Sequence, residues 1–211
     1  MAAVERPARP ENGRRDLMDI AIDCFARFGY QATSIDRIAK AAGLTKGAIY
    51  YHFKDKEELL FEAVKNRVSQ FERRVTAQIA SMHDAPAALT RVTEVCLEHA
   101  TKSNHRRLII TLMVEALETN ARLSAQFREM MHRFRAFLRS IIEVGQRQGL
   151  FRADVCAITA AGVYAGAVMG AEIEYYQDPD RIDLRQHLRA FLEQYLAWLA
   201  APPRSSRRKK R

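Results

Sequence analysis

Between Thr33 and Leu60 the chain reads TSIDRIAKAAGLTKGAIYYHFKDKEELL. Its middle segment, Lys46–His52, gathers a lysine, two tyrosines and a histidine beside a glycine and an alanine. Such side chains can donate to base edges and phosphates, and the small residues let a backbone come close; that chemistry suits a DNA major groove. The spacing around the segment predicts two short helices joined by a tight turn, followed by the start of a third. Ala39 is small enough for the second helix to cross close over the first. Gly43 can take the left-handed conformation that ends a helix. Ile49 falls on the inner face of the next helix and closes a small core. Thr33, Thr45 and Asp55 each precede a helical run, so N-caps are expected at all three.

The pattern YxHFxxKxxL is present as Tyr50, His52, Phe53, Lys56 and Leu59. With residues 33–42 before it, the run GLTKGAIYYHFKDKEELL closely resembles the DNA-binding domain of TetR-type transcriptional repressors. The likeness is specific over residues 14–64 and only architectural beyond them. It implies roles by position. Lys46 would reach guanine O6 or N7, Gly47 would let the backbone approach the bases, Ala48 would offer a methyl to thymine, and Tyr51 would touch bases or sugar. Thr45, Tyr50 and His52 would hold phosphate and sugar, with Ser34 and Lys56 clamping the backbone on either side. Arg37 and Lys40 read equally well as a solvated face.

The elements that must position this segment are all helical in period. Leu17, Ile20, Ala21, Cys24, Phe25 and Phe28 form one stripe on a helix over residues 14–28, ended by Gly29. Further helices are expected over residues 55–82, 85–101, 104–118, 121–148, 153–176 and 181–199. The first of these has no Gly or Pro and would be one continuous rod. The run LIITLMV at residues 108–114 is apolar all round and predicts a buried core helix. No strand-period segment or internal repeat is found. The expected fold class is all-α with about nine helices: a mobile arm over 1–13, a helix-turn-helix domain over 14–60, a larger helical domain over 61–200 that the TetR resemblance implies is for ligand binding and dimerisation, and a basic disordered tail over 201–211.

The TetR resemblance implies a homodimer joined through the last two helices. Gly162, Gly166 and Gly170, four apart, and Leu188, Phe191, Leu192 and Tyr195 are the candidates for that interface. Two recognition segments would then meet an inverted-repeat operator in double-stranded DNA. The resemblance further implies a ligand-responsive regulator, most simply a repressor, released by a small-molecule effector. His99, Met113, Phe127, Met130, Met131, Phe134, Tyr164 and Met169 are candidates for an apolar pocket, since such cavities are lined by these residue types. Control by a protein partner, or a less specific DNA-architectural role, are the alternatives.

Composition narrows the classes. The net charge is +9, but six basic residues in the last eight account for most of it; without them the balance is 28 to 25, or +3. The motif therefore carries the DNA reading and the global charge does not. His83, His99, His105, His132 and His187 show no metal-ligand spacing, so neither an enzyme, a metal nor a cofactor is expected. The uncharged run over residues 155–171 is at the lower limit for a membrane span and reads better as a helix buried in an interface. No apolar segment follows the first Met, which makes a cytoplasmic location the expectation. Cys24, Cys96 and Cys156 each read as a buried free thiol on an apolar helix face.

Overall fold

A computed structural model describes residues 10–202. Among them nine helices follow in order: α1 (Pro10–Phe28), α2 (Ile35–Ala42), α3 (Lys46–His52), α4 (Lys56–Ile79), α5 (Ala85–Lys102), α6 (Asn104–Thr119), α7 (Ala121–Arg147), α8 (Ala157–Gln177) and α9 (Leu184–Leu199). An isolated bridge between Phe151 and Ala200 is the extended pairing among the described residues. The class is all-α.

Local signals set most boundaries. Gly43 ends α2 at φ 65°, with the Leu44 amide donating back to the Ala39 carbonyl at 2.9 Å. Thr45 caps α3, its Oγ1 accepting from the Ala48 amide at 3.2 Å. Asp55 caps α4 through the Glu58 amide at 2.7 Å, and the Glu58 carboxylate reaches back to the Lys54 amide at 2.7 Å.

Several boundaries differ from expectation; α4 ends at Ile79 and not at residue 82, and α9 starts at Leu184 and not at residue 181. α2 is capped by Ser34, which accepts from the Arg37 amide, and not by Thr33. Thr33 is buried and its hydroxyl donates to the Gly29 carbonyl at 2.7 Å, closing the end of α1 instead. α1 begins at Pro10, so residues 10–13 of the expected arm are helical; its remainder, 1–9, and residues 203–211 of the expected tail lie outside the described residues. α8 begins at Ala157 because the preceding loop is held open: Gln146 Nε2 donates to the Arg152 and Val155 carbonyls, and the Arg152 amide donates to Leu199 at 2.8 Å.

The chain forms two compact units, and α4 runs unbroken across the expected boundary at residues 60 and 61. The first unit takes the described residues through Arg74 together with Ala100–Arg128. Its core is Leu17, Ile22 and Phe25 of α1, Ile38 of α2, Ile49 of α3, Phe53, and Leu59 and Val64 of α4, all essentially inaccessible. Burial of each such side chain contributes about 1.5–3 kcal/mol. α6 packs on α1. There His105 Nε2 meets Asp23, while its Nδ1 faces Ser103 Oγ at 2.8 Å and Arg67 Nη2 at 2.5 Å. A guanidinium only donates, so Nδ1 is the acceptor and the ring hydrogen sits on Nε2 toward Asp23. α6 is not apolar-buried all round: Leu108, Ile109, Ile110 and Leu112 are buried, but Val114 and Leu117 are 54% and 71% exposed.

The second unit takes Val75–His99 and the described residues from Glu129 on. α8 and α9 pack on each other there. The Tyr195 hydroxyl donates to the Ala160 carbonyl at 2.8 Å. The Tyr164 hydroxyl lies 2.6 Å from Thr93 Oγ1 and 3.2 Å from the Leu89 carbonyl. Leu188, Leu192 and Tyr195, expected at a dimer interface, are 1%, 8% and 4% exposed within one chain. That stripe of α9 is covered within its own chain and has little surface left for a partner. Cys24 and Cys96 are buried as expected, whereas Cys156 is exposed at the N-cap of α8. Its thiol makes no capping bond, but the nearby polar groups of Thr159 and the Ile158 amide at the helix start favour the thiolate and lower its pKa. No helix among the described residues is long and apolar enough to cross a membrane.

Candidate nucleic-acid interface

α3 is seven residues long and too short to hold itself in water, so it depends on its inner face. Ile49 supplies that face and is fully buried. At its end Phe53, 1% exposed, turns the chain into α4, and the Arg14 guanidinium lies 5.0 Å from its ring centre. The anchor leaves the opposite side of α3 bare. Tyr51 is 85% exposed and Tyr50 46%. Lys46 and Gly47 are exposed too, while Ala48 and His52 are half-buried. The Tyr51 and His52 rings meet edge to face at 5.0 Å, which narrows the freedom of both.

Gly47 is not required by packing inside the chain. A Cβ there would meet only Thr45 Oγ1, at an ordinary 3.8 Å. The missing side chain instead leaves the outer face of the first turn flat, as a close approach to a base edge needs. Ser34 Oγ accepts from the backbone, and its hydroxyl hydrogen remains free to donate outward.

Two lysines are already engaged. Lys46 Nζ lies 3.0 Å from Asp36 Oδ2 across the turn, and this contact raises the Lys46 pKa, first through the hydrogen bond and then through the carboxylate charge. Lys56 is half-buried; its ammonium donates to the Tyr30 carbonyl at 3.0 Å and sits 4.3 Å from that residue's ring centre. Lys56 therefore ties the α1–α2 turn to α4, whatever phosphate it also reaches. Arg37, for which a solvated face and a DNA contact both stood open, places its guanidinium 4.2 Å from the Phe28 ring centre. Spacing could not show the Asp36–Lys46 pair, because ten positions and a turn separate the partners.

The residues expected to line a sensor pocket fall in both units. In the first, Phe127 is 2% exposed and Met113 half-buried. A cleft of about 300 Å³ in that unit is lined by Leu60, Leu112 and Leu123 together with Glu57 and Glu115; none of the expected pocket residues borders it. In the second unit Met130 is buried, and His99, Met131, Phe134 and Met169 are half-buried. Tyr164 is wholly buried, with its hydroxyl engaged by Thr93 and Leu89, which makes it a packing residue. On α8, Gly162, Gly166 and Gly170 have open space where a Cβ would stand. Ile158, one step earlier in the same four-residue series, and Val163 are 65% and 49% exposed.

Comparison with known proteins agrees with this geometry. Residues 17–63 match the family model for bacterial regulatory proteins, tetR family, and residues 64–169 match one for YsiA-like protein, C-terminal region. The "Probable acrEF/envCD operon repressor" of Escherichia coli (strain K12) is 30% identical over 164 residues, covering 74% of this chain and 74% of that protein. The HTH-type transcriptional repressor KstR2 of Rhodococcus jostii (strain RHA1) is 27% identical over 193 residues, covering 91% and 94%. The solved structure of FadR from Bacillus subtilis in complex with stearoyl-CoA has the same fold, with a TM-score of 0.75 at 23% identity over 87% of this chain and 97% of that one.

Proposed function

Because the chain belongs to the TetR family of bacterial regulatory proteins, and is thus a DNA-binding transcriptional regulator, we propose that it represses transcription as a homodimer on an inverted-repeat operator and is released by a small, largely apolar effector. The exposed outer face of α3, held by a buried Ile49, is the observation that carries the DNA part. Ser34, Thr45, Lys46, Gly47, Ala48, Tyr50, Tyr51, His52 and Lys56 are the proposed contacts. The first turn reads bases, and the tyrosines, caps and Lys56 hold backbone.

The open face of α8 supports the dimer. Ile158, Gly162, Gly166 and Gly170 recur every four residues and make a flat stripe against which a second helix can close. On α9, Trp198 is 42% exposed and Phe191 half-buried, so both keep apolar surface for a partner. A twofold pairing would set the two copies of α3 roughly 34–36 Å apart, one turn of duplex. Within the second unit His99, Met131, Phe134 and Met169 are the candidates to meet the effector. FadR of Bacillus subtilis holds stearoyl-CoA, whose acyl chain is the apolar class of ligand proposed here. An effector releases the operator only if it binds one spacing of the dimer better than the other. The proposed place of action is the cytoplasm.

Selection from a randomised duplex pool tests the operator, and sedimentation tests the dimer. The expected result is enrichment of an inverted repeat bound by two chains. Enrichment of no sequence, or a single chain under all conditions, overturns the proposal. Native mass spectrometry of protein purified from its host should show a retained small molecule; a retained protein would favour partner control.

A further inference from the structure

We propose that Asp36 and Lys46 act as one reader of a single G·C pair, the carboxylate accepting from cytosine N4 and the ammonium donating to guanine O6. The inference rests on the reading above that Lys46 enters the major groove. Lys46 is the first residue of α3 and Asp36 the second of α2. Their Nζ and Oδ2 atoms are 3.0 Å apart, and the side chains are 52% and 68% exposed, so the pair stands in solvent and serves no buried packing.

The major-groove edge of a G·C pair presents guanine O6, an acceptor, beside cytosine N4, a donor. Those two atoms are joined by a base-pairing hydrogen bond and so lie about 2.9 Å apart. A donor and an acceptor 3.0 Å apart, in matching order, can meet both at once. Neither group is exhausted by the ion pair. The ammonium has three hydrogens and the carboxylate about four acceptor sites. A lone carboxylate between phosphates would be repelled, and the attached ammonium cancels that charge. The carboxylate in turn fixes a lysine that would otherwise wander among guanine O6, N7 and phosphate.

The order of groups ranks the bases. C·G and A·T set a donor against the ammonium and an acceptor against the carboxylate. T·A keeps the order, but the thymine methyl stands where guanine N7 would be, so it ranks second.

The test begins with a duplex enriched by the wild-type protein from a randomised pool. Affinity is then measured for that duplex and for all symmetric base changes in its half-sites. Asp36→Ala, Asp36→Asn, Lys46→Ala and the double alanine variant are compared, with melting temperatures as the control for folding. The expected result is one position at which the wild type prefers G·C, then T·A. Asp36→Ala and Lys46→Ala should each flatten that position by about tenfold, and the double variant should flatten it no further. Asp36→Asn, which swaps an acceptor for a donor, should also lose the preference, and it decides the matter if the alanine variant melts early. If the Asp36 variants keep every wild-type base preference, even with affinity raised uniformly, the inference is overturned. Flattening of different positions by the two single variants overturns it as well. A wild-type protein that enriches no sequence overturns the operator reading itself, and this inference with it.

Discussion

Lys56 is bound twice to one residue: its ammonium donates to the Tyr30 carbonyl at 3.0 Å and lies 4.3 Å from the centre of the Tyr30 ring. The first residue of α4 thereby holds the turn between α1 and α2 against the core that supports α3. Lys56→Ala is expected to lower stability by about 1–2 kcal/mol, from a charge-assisted hydrogen bond and a partly exposed cation–π contact. Urea unfolding checks this. A lysine serving only as a phosphate clamp would leave the midpoint unchanged and alter only the salt dependence of DNA binding.

Gly145 on α7 lies against the ring of Phe151. A Cβ at 145 would stand 2.2 Å from Phe151 Cδ2, and Phe151 is itself 3% exposed, so the ring has nowhere to move. Gly145→Ala should cost about 1–3 kcal/mol by overpacking. In a Phe151→Ala background the same change should be nearly neutral, because the obstacle is gone. A thermal-unfolding cycle over the four proteins measures the coupling; strict additivity would refute the contact.

Burial holds the Tyr164 phenol protonated far above its ordinary pKa of 10.0, and burial shifts Tyr195 the same way. An unfolded chain loses those protons near pH 10. Above that pH the unfolded state binds fewer protons than the folded one, so stability is whole below about pH 10 and falls as pH rises further. Tyr164→Phe should cost about 1 kcal/mol at neutral pH by removing the hydroxyl shared with Thr93 and Leu89. It should also make the alkaline decline shallower. Unfolding midpoints measured between pH 8 and pH 11 give both quantities, and an unchanged slope counts against the assignment.

Gly166 of α8 is exposed and has open space at its Cβ. Gly166→Arg should therefore leave the single chain's fold intact while blocking close approach of a second α8. Light scattering is expected to show monomer in place of dimer at micromolar concentration, with circular dichroism unchanged. A dimer that survives this substitution moves the interface elsewhere.

Much of the fold and part of the site were legible beforehand because they depend on near neighbours. Thr45 and Asp55 cap because the amides they serve are three residues on, and Gly43 ends α2 because only local backbone sterics are involved. Thr33 departs from its expected role for a related reason. It has the chemistry of a cap, but its neighbour Ser34 has it too, and the end of α1 claimed Thr33 first.

Residue order alone was enough to reveal the nine helical periods, the span of α3 from Lys46 to His52, and the buried anchor Ile49. These follow from spacings of three and four residues, which a helix converts directly into a face. Packing between helices was needed to show that Lys46 faces Asp36, that Lys56 turns in on Tyr30, and that Leu188, Leu192 and Tyr195 are covered by their own chain while the glycine stripe of α8 lies open. Those outcomes depend on how two helices cross, and a crossing is fixed by side chains far apart in the chain. Periodicity says which side of a helix is apolar, but not which neighbour will cover it.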